Sequence, residues 1–473
     1  IAIRYGACHV GSLGDSLLFY FGYPAVSDND VRLCARTALD IISNLNKRNA
    51  LLRTSQGIEM EIRIGMHTGL VTSYADATPE GDTPNIAMQL ARMADSEQVL
   101  CSDVSHNLLK SYIEFEPAQS CMLGVSRLQV PLFSMIAERQ VEAFGFLRSS
   151  QQNAVFIGRE SELEQLSALL SETDQGKTNL VHVCGEAGIG KSRLIFELRH
   201  TAQQMRHHIA QCLPEHKNNA LYPILKILKY RYSLNGMAPQ AALKRLTQVI
   251  QQAELTALSN NTPEEREQGL AILCSWLNLP LDDSFPLTEI APDLQKKLLF
   301  STLIALLTYQ QGGENKCGLD NDSKQRNLFI FEDIHWADPT SLEFIAEFVM
   351  ALRSSRDVVI STSRQILPIP LQSLGFDSVT LRKLTMAATT KFILALFEHE
   401  TVSESVLDVL IARTDGIPLF IEELANMLKQ KELVHKLNGV INFVSPDKLD
   451  EVPNSLRDSL QQKLDSLLYA KET

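Results

Sequence analysis

The run Gly185-Glu186-Ala187-Gly188-Ile189-Gly190-Lys191-Ser192 sets three glycines, a lysine and a hydroxyl at the spacing that cradles a polyphosphate. The glycines let the backbone bend until successive N–H groups face one anion. Lys191 then reaches the β- and γ-phosphates and the Ser192 hydroxyl ligates Mg²⁺. A second chemical element is the carboxylate pair Glu332-Asp333, which closes the apolar run Asn327 to Phe331. At the carboxyl end of a parallel strand, one carboxylate holds Mg²⁺ through water and the other polarises the attacking water. Both are catalytic candidates and Glu332 is also a metal candidate; the sequence leaves the division of roles open.

Such groups need rigid elements behind them. Leu180 to Cys184 reads as a buried strand leading into the loop, and Ser192 to Met205 as a helix whose positive N-terminal end faces the phosphates. His207 and His208 are expected on the polar side of that helix, solvated, since adjacent helix positions cannot chelate one ion. Residues 1–136 alternate short strands and helices. Ala2 to Leu13 and Ser16 to Tyr23 read as strands joined by a Gly14-Asp15 turn. Helices are expected at Asp28 to Leu52, with Asp28 or Asn29 as N-cap, and at Thr83 to Ala94. Strands are expected at Glu59 to Met66, Leu70 to Tyr74 and Gln98 to Cys101. Residues 220–310 and 386–450 read as helical.

Composition narrows the partners. A chain of 473 residues exceeds one core and implies about two to four domains. A formal charge of −12 with no basic cluster argues against nucleic acid and anionic lipid, because such a surface repels phosphate. The eight cysteines are scattered without a C-x-x-C pair, which reads as reduced thiols in a cytoplasmic protein. No apolar stretch reaches bilayer length and no signal-peptide pattern opens the chain, so no membrane partner is expected. The first residue is Ile1, in what reads as mid-domain sequence, so the N-terminal part of that domain is expected to precede it.

Five motifs in order make residues 155 to about 465 resemble the STAND class of signal-transducing P-loop ATPases, relatives of the AAA+ proteins. Besides the P-loop, Phe156-Ile157-Gly158-Arg159-Glu160 resembles the segment lying over the adenine, which implies that Phe156, Gly158 and Arg159 bind nucleotide. Phe331 to Pro339 is similar to the extended acidic motif, within which His335 and Trp336 are expected to pack and fix the loop. Ile360-Ser361-Thr362-Ser363-Arg364 resembles the sensor, with Arg364 catalytic and facing the γ-phosphate. Gly416-Ile417-Pro418 resembles the lid motif whose proline packs on the base. Val452 to Arg457 resembles the lead into a winged-helix domain.

Residues 1–136 resemble the later part of a class III nucleotidyl cyclase domain. The likeness rests on Leu13 to Leu18 with Phe21 to Pro24, on Ile62 to Gly69, and on Gly81 to Ala87. It implies that Asp15 binds a metal pair, Mg²⁺ or Mn²⁺, together with an aspartate upstream of Ile1, and that Asn85 belongs to the cyclase site. Gln89 stands where the family has its transition-state arginine, and Arg92 lies two turns away from Asn85. Gly11 replaces the purine-selecting lysine, the Thr68 to Gly81 hairpin is shortened, and Thr78 falls at a base-reading position. His67 is expected to be structural.

The implied fold is α/β: a ferredoxin-like α+β cyclase-type domain (1–136), a linker (137–154), a parallel-sheet P-loop NTPase core (155–385), a helical lid (386–450) and the start of a winged-helix region (451–473). The implied function is an ATP-binding signalling protein. Its STAND switch, cycling between ATP and ADP, is coupled to a degenerate cyclase-like module that pairs as a homodimer. The alternative is an active adenylate cyclase making cAMP under control of that switch. A STAND transcriptional regulator ranks below both, since no helix-turn-helix is visible.

Overall fold

The computed structural model describes residues 1–23, 30–72, 81–123, 128–139, 156–171, 179–234, 237–254, 262–277, 279, 290–309, 326–353, 355–398, 401–430, 432–437 and 439–444. The chain divides into two compact units. One comprises Ile1–Val141, Tyr232–Gln252 and Asn261–Leu299, the other Glu142–Arg231, Ala253–Asn260 and Phe300–Thr473.

The N-terminal module starts with a 3₁₀ turn, Ala2–Tyr5, where the sequence predicts strand. Ala2 and Tyr5 are three residues apart and both buried, a spacing that an alternating strand would split between two faces. An antiparallel ribbon follows, β1 (Cys8–Leu13) and β2 (Ser16–Tyr20). The remaining elements are α1 (Asp30–Gln56), β3 (Ile64–Met66), α2 (Asp82–Met93), β4 (Val99–Ser102), α3 (Asp103–Leu109), β5 (Ile113–Leu123) and β6 (Leu128–Glu138). The expected N-caps Asp28 and Asn29, and Thr78, lie outside the described residues, as do 140–154 of the expected linker. Strands β3 to β6 form one mixed sheet in the order β3-β4-β6-β5, with β3 parallel to β4 and the other pairs antiparallel. The predicted strand over 59–66 shrinks to its last three residues because 59–61 and 63 are exposed and offer no inner face. Helix α1 is tied to β6 by Glu138, whose Oε1 accepts from Arg36 Nε at 2.7 Å and Arg32 Nη2 at 2.8 Å.

Helix α2 packs against β3 at Gly65, where an added Cβ would stand 2.1 Å from Ala87 O and 2.3 Å from Ala91 N. Only a missing side chain allows that approach. Gly65→Ala is therefore expected to destabilise this module by about 3 kcal/mol, because backbone rather than a flexible side chain must move. Thermal unfolding reads it, and an unchanged melting curve would contradict the packing.

The rest of the chain contributes α4 (Glu160–Ser171), β7 (Asn179–Cys184), α5 (Lys191–Thr201), β8 (Arg206–Gln211), α6 (Tyr222–Arg231), α7 (Pro239–Glu254), α8 (Pro263–Leu277), α9 (Pro292–Thr308) and β9 (Asn327–Glu332). Beyond these come a 3₁₀ turn (Ile334–Trp336), α10 (Pro339–Leu352), β10 (Val358–Ser363), α11 (Ile369–Gln372) and β11 (Asp377–Thr380). The five strands β7 to β11 form an all-parallel sheet in the order β11-β7-β10-β9-β8. Strands β9 and β10 are buried along their whole length, as a parallel sheet covered on both faces requires. This places His208 on β8, not on a solvated helix. Its Nε2 is 3.1 Å from Asn327 Oδ1, and burial together with nearby Arg231 holds its pKa down to about 3.

The C-terminal elements are α12 (Met386–Leu396), β12 (Thr401–Val402), α13 (Glu404–Thr414), α14 (Pro418–Gln430), β13 (Val434–Leu437) and β14 (Val440–Phe443). The helices share an apolar core that includes Phe392, Leu410 and Leu424. The sequence predicts only helix here, yet β12, β14 and β13 make a small sheet. Gly439, at φ 81°, supplies the left-handed turn between β13 and β14. The expected winged-helix start, 451–473, lies outside the described residues.

Candidate nucleotide site

Strand β7 ends at Cys184, paired with Ser363 of β10 and Thr380 of β11, and the loop departs from that level. Gly188 and Gly190 take φ of 74° and 103°, the left-handed region that other residues rarely adopt. Ile189 is buried in the sheet core and anchors the loop between them. Lys191 opens α5 and is 7% exposed; its Nζ donates to Gly185 O at 2.8 Å and Glu186 O at 3.0 Å. Burial lowers the lysine pKa, and the Asp333 carboxylate works against that.

The acidic strand end lies next to the loop. Ser192 Oγ donates to Glu332 Oε2 at 3.3 Å, and Glu332 itself is 3% exposed. A hydroxyl and a carboxylate side by side are the hard oxygen donors that Mg²⁺ takes, with the remaining positions left to water and phosphate. Both residues thus fit the ion. Asp333 turns into the left-handed region (φ 55°, ψ 45°) and its N–H donates to Thr362 Oγ1 at 2.9 Å, tying the acidic strand end to β10. Burial raises the Asp333 carboxyl pKa, against the pull of Lys191 and Arg364, so the two cations and this carboxylate share one environment. Further along the motif, Asp338 caps α10 by accepting from Ser341 N at 2.9 Å, with Pro339 at the first helical position.

The start of α14 meets the loop directly. Leu419 N donates to Gly188 O at 3.2 Å, and an added Cβ at Gly188 would stand 2.9 Å from Leu419 Cβ. Pro418 begins α14 beside this contact. Leu384 N donates to Gly416 O at 2.9 Å, so the turn before α14 is pinned to the segment that follows β11. Gly158 packs on α12, where a Cβ would stand 2.8 Å from Ala388 Cβ. Phe156 is half-buried, its ring centroid 6.0 Å from Arg193 Cζ. Arg159, expected on the nucleotide, is buried and engaged elsewhere: it donates to Ile189 O at 3.2 Å, to Arg382 O, and to Glu162 Oε1 at 3.0 Å. It braces the phosphate loop from behind.

The cyclase-type residues are arranged more loosely. Asp15 occupies the exposed β1–β2 turn and accepts from Ser16 Oγ at 3.3 Å. Asn85 is exposed on α2 and donates to Gly81 O at 3.4 Å. Gln89, one turn on, donates from Nε2 to Met122 O on β5 at 3.0 Å. Among the described residues, no three or more histidine, cysteine, aspartate or glutamate side chains gather as a metal site. His67 Nδ1 lies 2.7 Å from Ser102 Oγ.

His335, read from the sequence as a packing residue, has both ring nitrogens buried with no hydrogen-bond partner among the described residues, and its ring lies 4.9 Å from that of Trp336.

Residues 155–360 match the family described as AAA ATPase domain, and residues 2–130 the family described as adenylate and guanylate cyclase catalytic domain. The chain therefore carries a cyclase-type domain followed by an AAA-type ATPase domain. An uncharacterized protein of Rhizobium meliloti (strain 1021) is 23% identical over 434 residues, covering 88% of this chain and 39% of its own length. The chain thus spans well under half of that relative. Among solved structures, the catalytic core of a rhodopsin-guanylyl cyclase with converted specificity, in complex with ATPalphaS, is 24% identical with a TM-score of 0.26, covering 29% of this chain and 75% of that one. The guanylate cyclase domain of RhGC from Catenaria anguillulae, in complex with GTP, is 23% identical with a TM-score of 0.25, covering 29% and 76%. The adenylyl cyclase CyaB from P. aeruginosa is 19% identical with a TM-score of 0.27, covering 29% and 76%. Among the described residues no helix is long and apolar enough to cross a membrane. Both matched families are nucleotide-handling ones.

Proposed function

We propose that the ATPase half is a STAND-type switch whose lid answers to the nucleotide on the P-loop, and that the cyclase-type module is catalytically silent. The observation that carries the switch is the bond from Leu419 N to Gly188 O, which makes the phosphate loop itself part of the lid's docking surface. A ligand that reorganises the loop then has different affinities for the docked and released lid, which is the requirement for shifting a population. In this reading Lys191 and the loop amides hold the phosphates, and Ser192 and Glu332 hold Mg²⁺. When bound, Mg²⁺ neutralises charge on the phosphate oxygens. Asp333, whose carboxylate Lys191 and Arg364 both attract, takes the role of orienting the attacking water. Arg364 stabilises charge on the terminal phosphoryl group. Phe156, Gly158 and Pro418 frame the base, while Arg159 supports the loop.

Silence of the cyclase module is supported by Gln89, a neutral amide already bonded to Met122 O, and by Gly11, which has no side chain to read a purine. Pairing through this module as a homodimer fits the exposed apolar residues Leu17, Leu70 and Met122 that it presents. Two assays on the full-length protein test the reading. Release of phosphate from ATP with Mg²⁺ is expected, while cyclic nucleotide from ATP or GTP with Mn²⁺ is expected to stay at background. Gln89→Arg is expected to raise cyclic-nucleotide formation by tens of fold, because a guanidinium restores charge stabilisation of the kind worth about 10²-fold or more when removed. Wild-type turnover of ~1 per second or faster would favour the cyclase reading instead.

A further inference from the structure

We propose that His182 and Ser363 are positioning residues for ATP hydrolysis: together they fix the backbone that follows Arg364 and thereby aim its guanidinium. The inference rests on the reading that the P-loop binds and hydrolyses ATP and that Arg364 faces the terminal phosphoryl group. Strand β10 ends at Ser363, and Arg364 and Gln365 follow in a bend in which Gln365 is exposed. Packing does little to hold that bend; hydrogen bonds do. Gln365 O accepts from Ser363 Oγ and from Cys184 Sγ, the latter at 3.2 Å. His182 Nε2 lies 3.3 Å from the same carbonyl and 3.1 Å from Ser363 Oγ, while its Nδ1 lies 2.9 Å from Ser361 Oγ. A carbonyl only accepts, and the Ser363 proton is already given to it, so Nε2 carries the ring proton and Nδ1 accepts from Ser361.

These polar groups stand where the fold asks for apolar ones. Strands β7 and β10 are inner strands of the parallel sheet; His182 is 1% exposed, and Ser361 and Ser363 are fully buried. On the same two strands Val181, Val183, Val358 and Ile360 fill the apolar core. Burying an imidazole and two hydroxyls costs free energy that only complete hydrogen bonding offsets, and a complete network holds one geometry. Burial also lowers the His182 pKa, so at neutral pH the ring holds the bend as an uncharged donor. The end of β10 is tied on its other side as well. Thr362 points to the opposite face from Ser361 and Ser363 and accepts from Asp333 N at 2.9 Å, while Gly185 N donates to Ser363 O at 3.3 Å. The P-loop strand and the acidic strand thus both grip the residues before Arg364, whose charge acts on Lys191 and on Asp333. What His182 and Ser363 add is the grip on the residue after it.

Phosphate release and calorimetry with ATP and Mg²⁺, run on the full chain, test this. His182→Leu keeps most of the bulk and removes both nitrogens. It is expected to lower the turnover number at least about tenfold, since a misplacement of about 1 Å can cost about 10²-fold. ATP affinity is expected to stay within about twofold, because Arg364 answers to charge that develops in the transition state. His182→Gln, whose amide nitrogen can reach the place of Nε2, is expected to recover most of the loss. In an Arg364→Ala background, His182→Leu is expected to change turnover by less than about twofold, since nothing is left to aim. A folded His182→Leu protein with wild-type turnover overturns the proposal. So does a loss that falls equally on affinity, or one that multiplies with the loss from Arg364→Ala. Should His182→Leu fail to fold, Ser363→Ala exchanges one small residue for another: lower turnover at unchanged affinity is expected, and wild-type turnover overturns the proposal. A wild-type protein that releases no phosphate, or an Arg364→Ala protein as fast as wild type, would instead refute the ATPase reading and the proposal with it.

Discussion

Lys191→Ala is expected to lower ATP affinity by at least about a hundredfold. The wild-type ammonium is buried and donates to two loop carbonyls, Gly185 O and Glu186 O, which it exchanges for phosphate oxygens when a nucleotide binds. Each charge-assisted bond contributes about 1.5–3 kcal/mol, so losing two amounts to about 3 kcal/mol or more, and about 1.4 kcal/mol is a factor of ten. The loop amides alone leave most of the triphosphate charge uncompensated. Removing Lys191 ends both its attraction to Asp333 and its repulsion with Arg364, so the fold of the variant is checked beside its affinity. Calorimetry reads the affinity and a melting curve checks the fold. ATP binding at wild-type strength by a folded Lys191→Ala protein would mean that this loop is not the nucleotide site.

The loop and the acidic strand were legible in the sequence because their chemistry dictates their residues. Left-handed backbone at Gly188 and Gly190 demands glycine, and a strand covered on both faces, Asn327–Glu332, demands an apolar run with its charges at the end. What escaped lacks such a dictate. His208 resembled a solvated residue because a histidine pair is polar by type, yet Asn327 supplies the partner that lets it sit inside the sheet. The β13–β14 hairpin is short and half-exposed, so it offers little alternation to set against a helical reading. The motif around Arg159 was recognisable, but the direction of its guanidinium was not, because that depends on Ile189 O and Arg382 O, contributed by segments far away in the chain. Residue type announces which chemistry is available; tertiary contacts decide where it is aimed.

The carboxylate pair gives the sharpest separation of roles. Glu332 reaches Ser192 Oγ, and Asp333 is turned by its left-handed backbone towards Thr362 and the two cations. Glu332→Gln keeps the shape and removes the charge on the metal side. ATP affinity with Mg²⁺ should fall while affinity measured in chelator holds, and turnover should drop by about 10²-fold or more, the scale of losing one electrostatic stabiliser. Asp333→Asn keeps the hydrogen-bonding outline but cannot accept a proton from water. ATP should still bind near wild-type strength with turnover reduced by about 10²- to 10⁴-fold, the contribution typical of a positioned general base. Phosphate release and calorimetry, run on each variant, separate the two. A Glu332→Gln protein indifferent to Mg²⁺ and an Asp333→Asn protein that binds poorly would reverse the assignment. If both hydrolyse ATP at the wild-type rate, the acidic strand end is structural and the catalytic carboxylate must be sought elsewhere.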